Sequence, residues 1–148
     1  MPHFRLHLLF VFCIGLFACT SSNPQISVLG VKAPKPGTRI VKVFVEVLNP
    51  TNQAFSLERM EYRFVAEDWI DASGKVQVKR NVAPNGKAII ELRVPLKENV
   101  PLEAIGVLYQ LEARLIGFVD KGERSWKVQA KGELNARAGA PIQVAARP

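Results

Sequence analysis

The chain has 148 residues, a formal net charge of +7, 48% hydrophobic and 22% charged residues. That balance excludes a wholly disordered, a collagen-like and a polytopic membrane protein, and the length suits one domain. His3, His7 and Cys13 all lie ahead of the other cysteine, Cys19, so a chain cut before Cys19 keeps no histidine and a single thiol at its own N-terminus.

The first element is an address. Met1–His7 is weakly basic, and Leu8–Ala18 follows without a charge. At ~1.5 Å per residue such a run spans about half of a ~30 Å hydrocarbon core, so it suits a secretory signal over residues 1–18 better than a membrane span. It ends Leu16-Phe17-Ala18-Cys19, which resembles the bacterial lipobox. That resemblance implies diacylglycerol on the Cys19 thiol, cleavage before it and acylation of the new amine. Two or three acyl chains anchor stably where one is marginal. An ordinary secretory cut near Ala18 would instead leave Cys19 as a lone thiol in need of a partner. The spacing and the polar tether over residues 19–25 favour the lipobox. Thr20 rather than Asp follows the cysteine, so the expected location is the cell envelope, on the periplasmic side of the outer membrane where a cell has one.

Residues 26–148 read as one domain, and its hydrophobic period is two. Residues 40–48 are β-branched and nearly all apolar, like a central strand. Phe55 and Leu57 share one parity and Met60, Tyr62 and Phe64 the other, which predicts a bulge near Glu58-Arg59. Val76 and Val78 alternate with Lys75, Gln77 and Lys79. Ala88, Ile90, Leu92, Val94 and Leu96 form one face of the next strand, with Pro95 marking an edge or a nearby end. Pro101–Ile105 predicts one helical turn, with a strand following at about 107–119. Trp126, Val128 and Ala130 alternate with Lys127, Gln129 and Lys131 in the last clear strand. Turns are expected at Pro34–Gly37, Asn49–Asn52, Ala72–Gly74, Pro84–Gly86 and Asp120–Gly122. Short strands so punctuated predict an all-β, antiparallel sandwich.

The order of these elements resembles the late-embryogenesis-abundant (LEA) type 2, or WHy (water stress and hypersensitive response), domain over roughly residues 24–135. The resemblance is carried by Pro24–Val31, by the apolar strand ending in Asn49-Pro50, and by Leu57 with Met60–Phe64. It continues through Pro84-Asn85-Gly86, Ala88–Leu96, Tyr109–Ala113 and Val128–Gly132. It implies an immunoglobulin- or fibronectin-III-like sandwich of about seven strands, an association with desiccation or osmotic stress, and no catalytic residues to transfer.

The candidate chemistry is sparse. Without histidine, no Ser-His, Cys-His or His-metal set survives past Cys19. Ser73 and Lys75 can be drawn as a dyad, but Ser73-Gly74-Lys75 reads as a turn. Glu67, Asp68 and Asp71 surround Trp69 without matching a calcium loop, and a solvated turn explains them. No enzyme activity, metal or cofactor is expected. Trp126 is in phase with the core, whereas Trp69 is the candidate surface aromatic. With it, Lys75, Lys79, Arg80, Lys127 and Lys131 form a candidate contact surface for an envelope protein, anionic lipid or acidic cell-wall glycan, and not for nucleic acid. The competing reading is a charged surface that keeps sheet edges from pairing.

Overall fold

The computed structural model describes residues 22–32, 34–35, 37–97, 105–135 and 142–145. The strands are β1 (Gln25–Lys32), β2 (Ile40–Leu48), β3 (Phe55–Ala66), β4 (Ile70–Val82), β5 (Lys87–Pro95), β6 (Ile105–Val119), β7 (Gly122–Asn135) and β8 (Ile142–Ala145). All pairings are antiparallel, in the order β4-β3-β6-β7-β8-β1-β2-β5. The seven long strands make two layers, β4-β3-β6-β7 and β1-β2-β5, and the short β8 links them along one side.

Alternation produces this arrangement directly. Val41, Val43, Val45 and Val47 of β2 are buried, and they face Phe64, Leu111, Leu115 and Met60 of the four-stranded layer in one core. Successive side chains of a strand point to opposite faces, so the residues between them form the outer surfaces. Strand β5 ends at Pro95 and lies at the end of the strand order, as the missing amide hydrogen of proline requires.

The parity flip in β3 is a bulge. Both of its neighbours shift register between Leu57 and Arg59, and Lys79 in β4 takes a positive φ of 48° beside it. Gly117 sits under this bend in β6, where a Cβ would lie 2.0 Å from the Ser56 carbonyl oxygen.

Asn49 closes the sandwich at the end where β2 passes to β3. It is the one buried polar side chain among the described residues. Its Nδ2 donates to the carbonyls of Gln53 (2.8 Å), Ala83 (3.0 Å) and Val82 (3.4 Å), and its Oδ1 accepts from the Thr51 amide and hydroxyl. The Asn-Pro turn is therefore a polar hub joining both layers.

Two local expectations are corrected. The Ala72–Gly74 turn, and with it the Ser73-Gly74-Lys75 turn, does not exist, because these residues run inside β4. The β3–β4 reversal falls instead at Glu67–Trp69, with Glu67 at positive φ. Glycine serves another purpose at position 74: the Tyr62 ring lies against it, and a Cβ there would meet the phenol oxygen at 2.9 Å. The helical turn near 101–105 is not present at its last residue, because Ile105 opens β6. Residues 101–104 lie outside the described residues, and no described residue is helical. The signal over residues 1–18 and the Cys19 attachment point also lie outside them.

Candidate functional site

The outer face of the β4-β3-β6-β7 layer carries the most chemistry. Register stacks its outward residues into rows across the four strands. One row is Lys75–Glu61–Arg114–Lys127 and the next is Ser73–Arg63–Glu112–Gln129. Between them lies an open recess of about 980 Å³, with the backbone of Gly74, Tyr62, Ala113 and Val128 as its floor. A second recess of about 580 Å³ continues the face, lined by Val65, Gln110 and Lys131 on one side and Glu67, Leu108 and Glu133 on the other.

The charges on this face are unevenly matched. Glu61 is held by Lys75 at 3.2 Å and approached by Arg59 at 3.7 Å. The Lys75 ammonium, with help from Arg59 and Arg114, keeps its carboxyl below the ordinary carboxylate range. Arg63 pairs with Asp71 at 3.4 Å. Glu112 accepts from the Gln110 side chain at 2.6 Å. Arg114 and Lys127 stand directly opposite each other on β6 and β7, and among the described residues neither makes an ion pair. Directly opposed like charges destabilise a sheet unless something lies between or over them.

Of the residues singled out from sequence, Lys75, Lys127 and Lys131 meet on this face. Trp69, Lys79 and Arg80 do not join them. Trp69 is half-buried against the core in the β3–β4 turn, where its carbonyl accepts from the Lys97 amide at 2.8 Å. Lys79 occupies the β4 bulge. Arg80 reaches across to β5 and donates to the Ile89 carbonyl at 3.0 Å, so its guanidinium fastens one layer to the other. Trp126 packs on Phe55 at the core margin, with ring centroids 5.1 Å apart. Ser73 and Lys75 both face outward on β4 with Gly74 between them, and Ser73 faces Arg63 rather than a base.

Arg114 is the residue the sequence reading missed. Its signal was present: the two-residue reversal at Asp120-Lys121 sets Val119 against Gly122, and that register carries Arg114 onto Lys127. Glu67, considered as a metal ligand, instead accepts from the Leu108 amide at 2.9 Å and fixes the turn to β6. Among the described residues no group of three acidic, cysteine or histidine side chains is placed to hold a metal ion.

The backbone course of this chain matches solved structures. The solution structure of At2g46140.1, described as a LEA protein, superposes with a TM-score of 0.53 at 18% identity, covering 78% of this chain and 72% of that one. The fold is LEA-like. AT1g01470 from Arabidopsis thaliana superposes with a TM-score of 0.54 at 16% identity, covering 76% of this chain and 82% of the other. No family model and no curated protein sequence matches the chain.

Proposed function

We propose that the chain is a non-enzymatic lipoprotein of the bacterial cell envelope, anchored through Cys19, whose LEA type 2-like domain protects neighbouring proteins or lipids when water is withdrawn. The observation that carries the reading is the juxtaposition in one chain of Leu16-Phe17-Ala18-Cys19 with a LEA-like sandwich beginning at Gln25. At ~3.3 Å per residue the intervening tether reaches roughly 20 Å, so the acylated end keeps the domain beside the membrane. Among the described residues no helix is long and apolar enough to cross a membrane, and the reading assigns attachment to the acyl chains.

The surface suits a drying environment. Pairs such as Lys42–Glu91 at 2.9 Å and Lys87–Glu46 at 3.1 Å are partly exposed and contribute little in bulk water. Two unit charges 4 Å apart attract by about 1 kcal/mol in water but by about 4 kcal/mol at an effective dielectric of 20. Withdrawing water therefore tightens the surface of a body whose core needs no disulfide. Charged side chains then remain to hydrogen-bond nearby headgroups or proteins in place of water.

The test dries or osmotically shocks cells carrying the wild-type gene, a deletion, or Cys19→Ala. A labile envelope enzyme is assayed before and after. The reading expects the deletion to lose survival and enzyme recovery, with Cys19→Ala falling between deletion and wild type. Equal survival of all three strains contradicts it.

A further inference from the structure

We infer that the recess between the Lys75–Glu61–Arg114–Lys127 and Ser73–Arg63–Glu112–Gln129 rows binds an acidic oligosaccharide, whose carboxylate or sulfate oxygens lie against Arg114 and Lys127. This goes beyond the protective reading and does not depend on the anchor at Cys19.

The first ground is the cation pair. Cross-strand neighbours have Cβ atoms about 5 Å apart, and opposed like charges cost stability. On β3 and β4 a carboxylate lies within 4 Å of the neighbouring cations: Glu61 for Lys75 and Arg59, and Asp71 for Arg63. Arg114 faces Glu61 across the β3–β6 pair, but that carboxylate is already held by Lys75, and among the described residues neither Arg114 nor Lys127 makes an ion pair of its own. A bound oxyanion between them neutralises both, and the arginine fork can hold a carboxylate or sulfate through two parallel hydrogen bonds.

The second ground is shape. The recess crosses four strands, and three inter-strand spacings give a span of about 14 Å. One wall is cationic. The other offers the Ser73 hydroxyl, the Gln129 amide and the Arg63 and Glu112 groups, which suit sugar hydroxyls. A flat bilayer would bridge over such a recess without filling it. Nucleic acid lacks its usual stacking platform here: the one aromatic residue on the lining, Tyr62, turns its ring to the inner side against Gly74. The Glu61 and Glu112 carboxylates in the walls would also oppose a continuous phosphodiester.

The experiment uses the full chain purified in detergent. Binding is measured at low and high salt to four labelled probes: a heparin-derived oligosaccharide, an oligogalacturonate, neutral dextran and a single-stranded oligonucleotide. Vesicles with and without phosphatidylglycerol provide a fifth arm. The wild type is expected to bind one or both acidic sugars, more weakly as salt rises, and to ignore dextran. Binding of oligogalacturonate shows that a carboxylate suffices, and binding of the heparin oligosaccharide alone points to sulfate. Arg114→Gln with Lys127→Gln is expected to bind roughly tenfold more weakly or worse. Lys127→Gln alone should fall between, and Lys32→Gln, on the outer face of the other layer, should bind like wild type. The double variant should melt at or above the wild-type temperature, because it removes an opposed like-charge pair. Undiminished binding by the double variant, no binding of either acidic sugar, or stronger binding to the oligonucleotide or to anionic vesicles would overturn the inference.

Discussion

The two layers of this sandwich share a core but use their outer faces differently. On the β1-β2-β5 layer, Lys42 and Arg93 share Glu91, and Lys87 takes Glu46. Ile40 and Ile89 on this layer are about half accessible. Both layers carry an irregularity, at Val28–Gly30 in β1 and at Leu57–Arg59 in β3. In the β4-β3-β6-β7 layer glycines also admit aromatic rings or backbone, and Arg114 and Lys127 oppose each other without an ion pair of their own among the described residues. The first face also opposes like charges, with Lys42 between Lys32 and Arg93, but there Glu91 lies within 3.1 Å of both Lys42 and Arg93. On the second face, among the described residues, no carboxylate bridges Arg114 and Lys127 in this way, and an opposed pair left so costs the sheet stability.

The largest effect should come from the four-stranded layer. Gly117→Ala sets a Cβ against the Ser56 backbone oxygen, and we expect a loss of about 3 kcal/mol in denaturant unfolding, the upper part of the range for overpacking. Ile89→Thr, at a half-exposed position of β5, should stay within about 0.5 kcal/mol. If the two substitutions prove equal, the contrast between the layers fails.

Asn49→Ala tests the hub they share. It leaves the Val82 and Ala83 carbonyls without their side-chain donor, and should cost about 2 kcal/mol. Asn49→Asp should recover little, because a carboxylate cannot donate to those carbonyls.

Alkaline unfolding separates the layers by pH, and acid unfolding treats them alike. Burial raises the phenol pKa of Tyr62, and it does the same for Tyr109, where a backbone hydrogen bond with Val28 partly opposes it. Both tyrosines belong to the four-stranded layer. A phenol raised in the folded state contributes stability below its unfolded value of 10.0, and that contribution is lost as pH climbs from there through the folded value. Tyr62→Phe should therefore blunt alkaline unfolding. At the acid end, each layer has one depressed carboxyl. Glu61 is lowered chiefly by Lys75, and Glu91 chiefly by Lys42 and then Arg93. Their contribution is present above the unfolded value of 4.5 and declines as pH falls through the lower folded values. Melting scans from pH 2 to 11 should show acid loss softened by Glu61→Gln or Glu91→Gln, and alkaline loss softened only by the tyrosine change.

The smallest effects have opposite sign on the two faces. Lys127→Glu turns an opposed like-charge pair into an attractive one and should raise Tm by about 2 °C. Glu91→Gln removes the carboxylate that Lys42 and Arg93 share, leaves the Lys32–Lys42–Arg93 row unmatched, and should lower Tm by a similar amount, about 2 °C. Shifts of the same sign would show that the two faces are electrostatically alike.

Much of this architecture is legible in the residue order because a sheet's period is two. The buried valines of β2, the bulge at Glu58-Arg59 and the edge position of Pro95 all follow from parity and from the missing proline amide. Gly74 misled the reading because glycine marks a turn and a close ring approach with the same letter, and only the partner strand distinguishes them. Tyr62 lies directly across from it on β3. Ile105 fell on the wrong side of a boundary because a proline-led helical turn and a strand start share the same apolar residues. The candidate site was half visible. Period alone places Lys75, Lys127 and Lys131 outward, but joining them to Arg114 needs the register of three strand pairs. Arg80 and Trp69, read as free surface, are held by contacts between distant segments, Ile89 and Lys97, that no local pattern encodes.

The reading of function turns on the thiol at position 19. Cells expressing the wild type or Cys19→Ala are grown with a labelled fatty acid, and the protein is isolated and weighed by mass spectrometry. The account expects label in the wild type at the mass of a chain beginning at an acylated Cys19, and none in the variant. Unlabelled wild-type protein, or label that persists in Cys19→Ala, would contradict it.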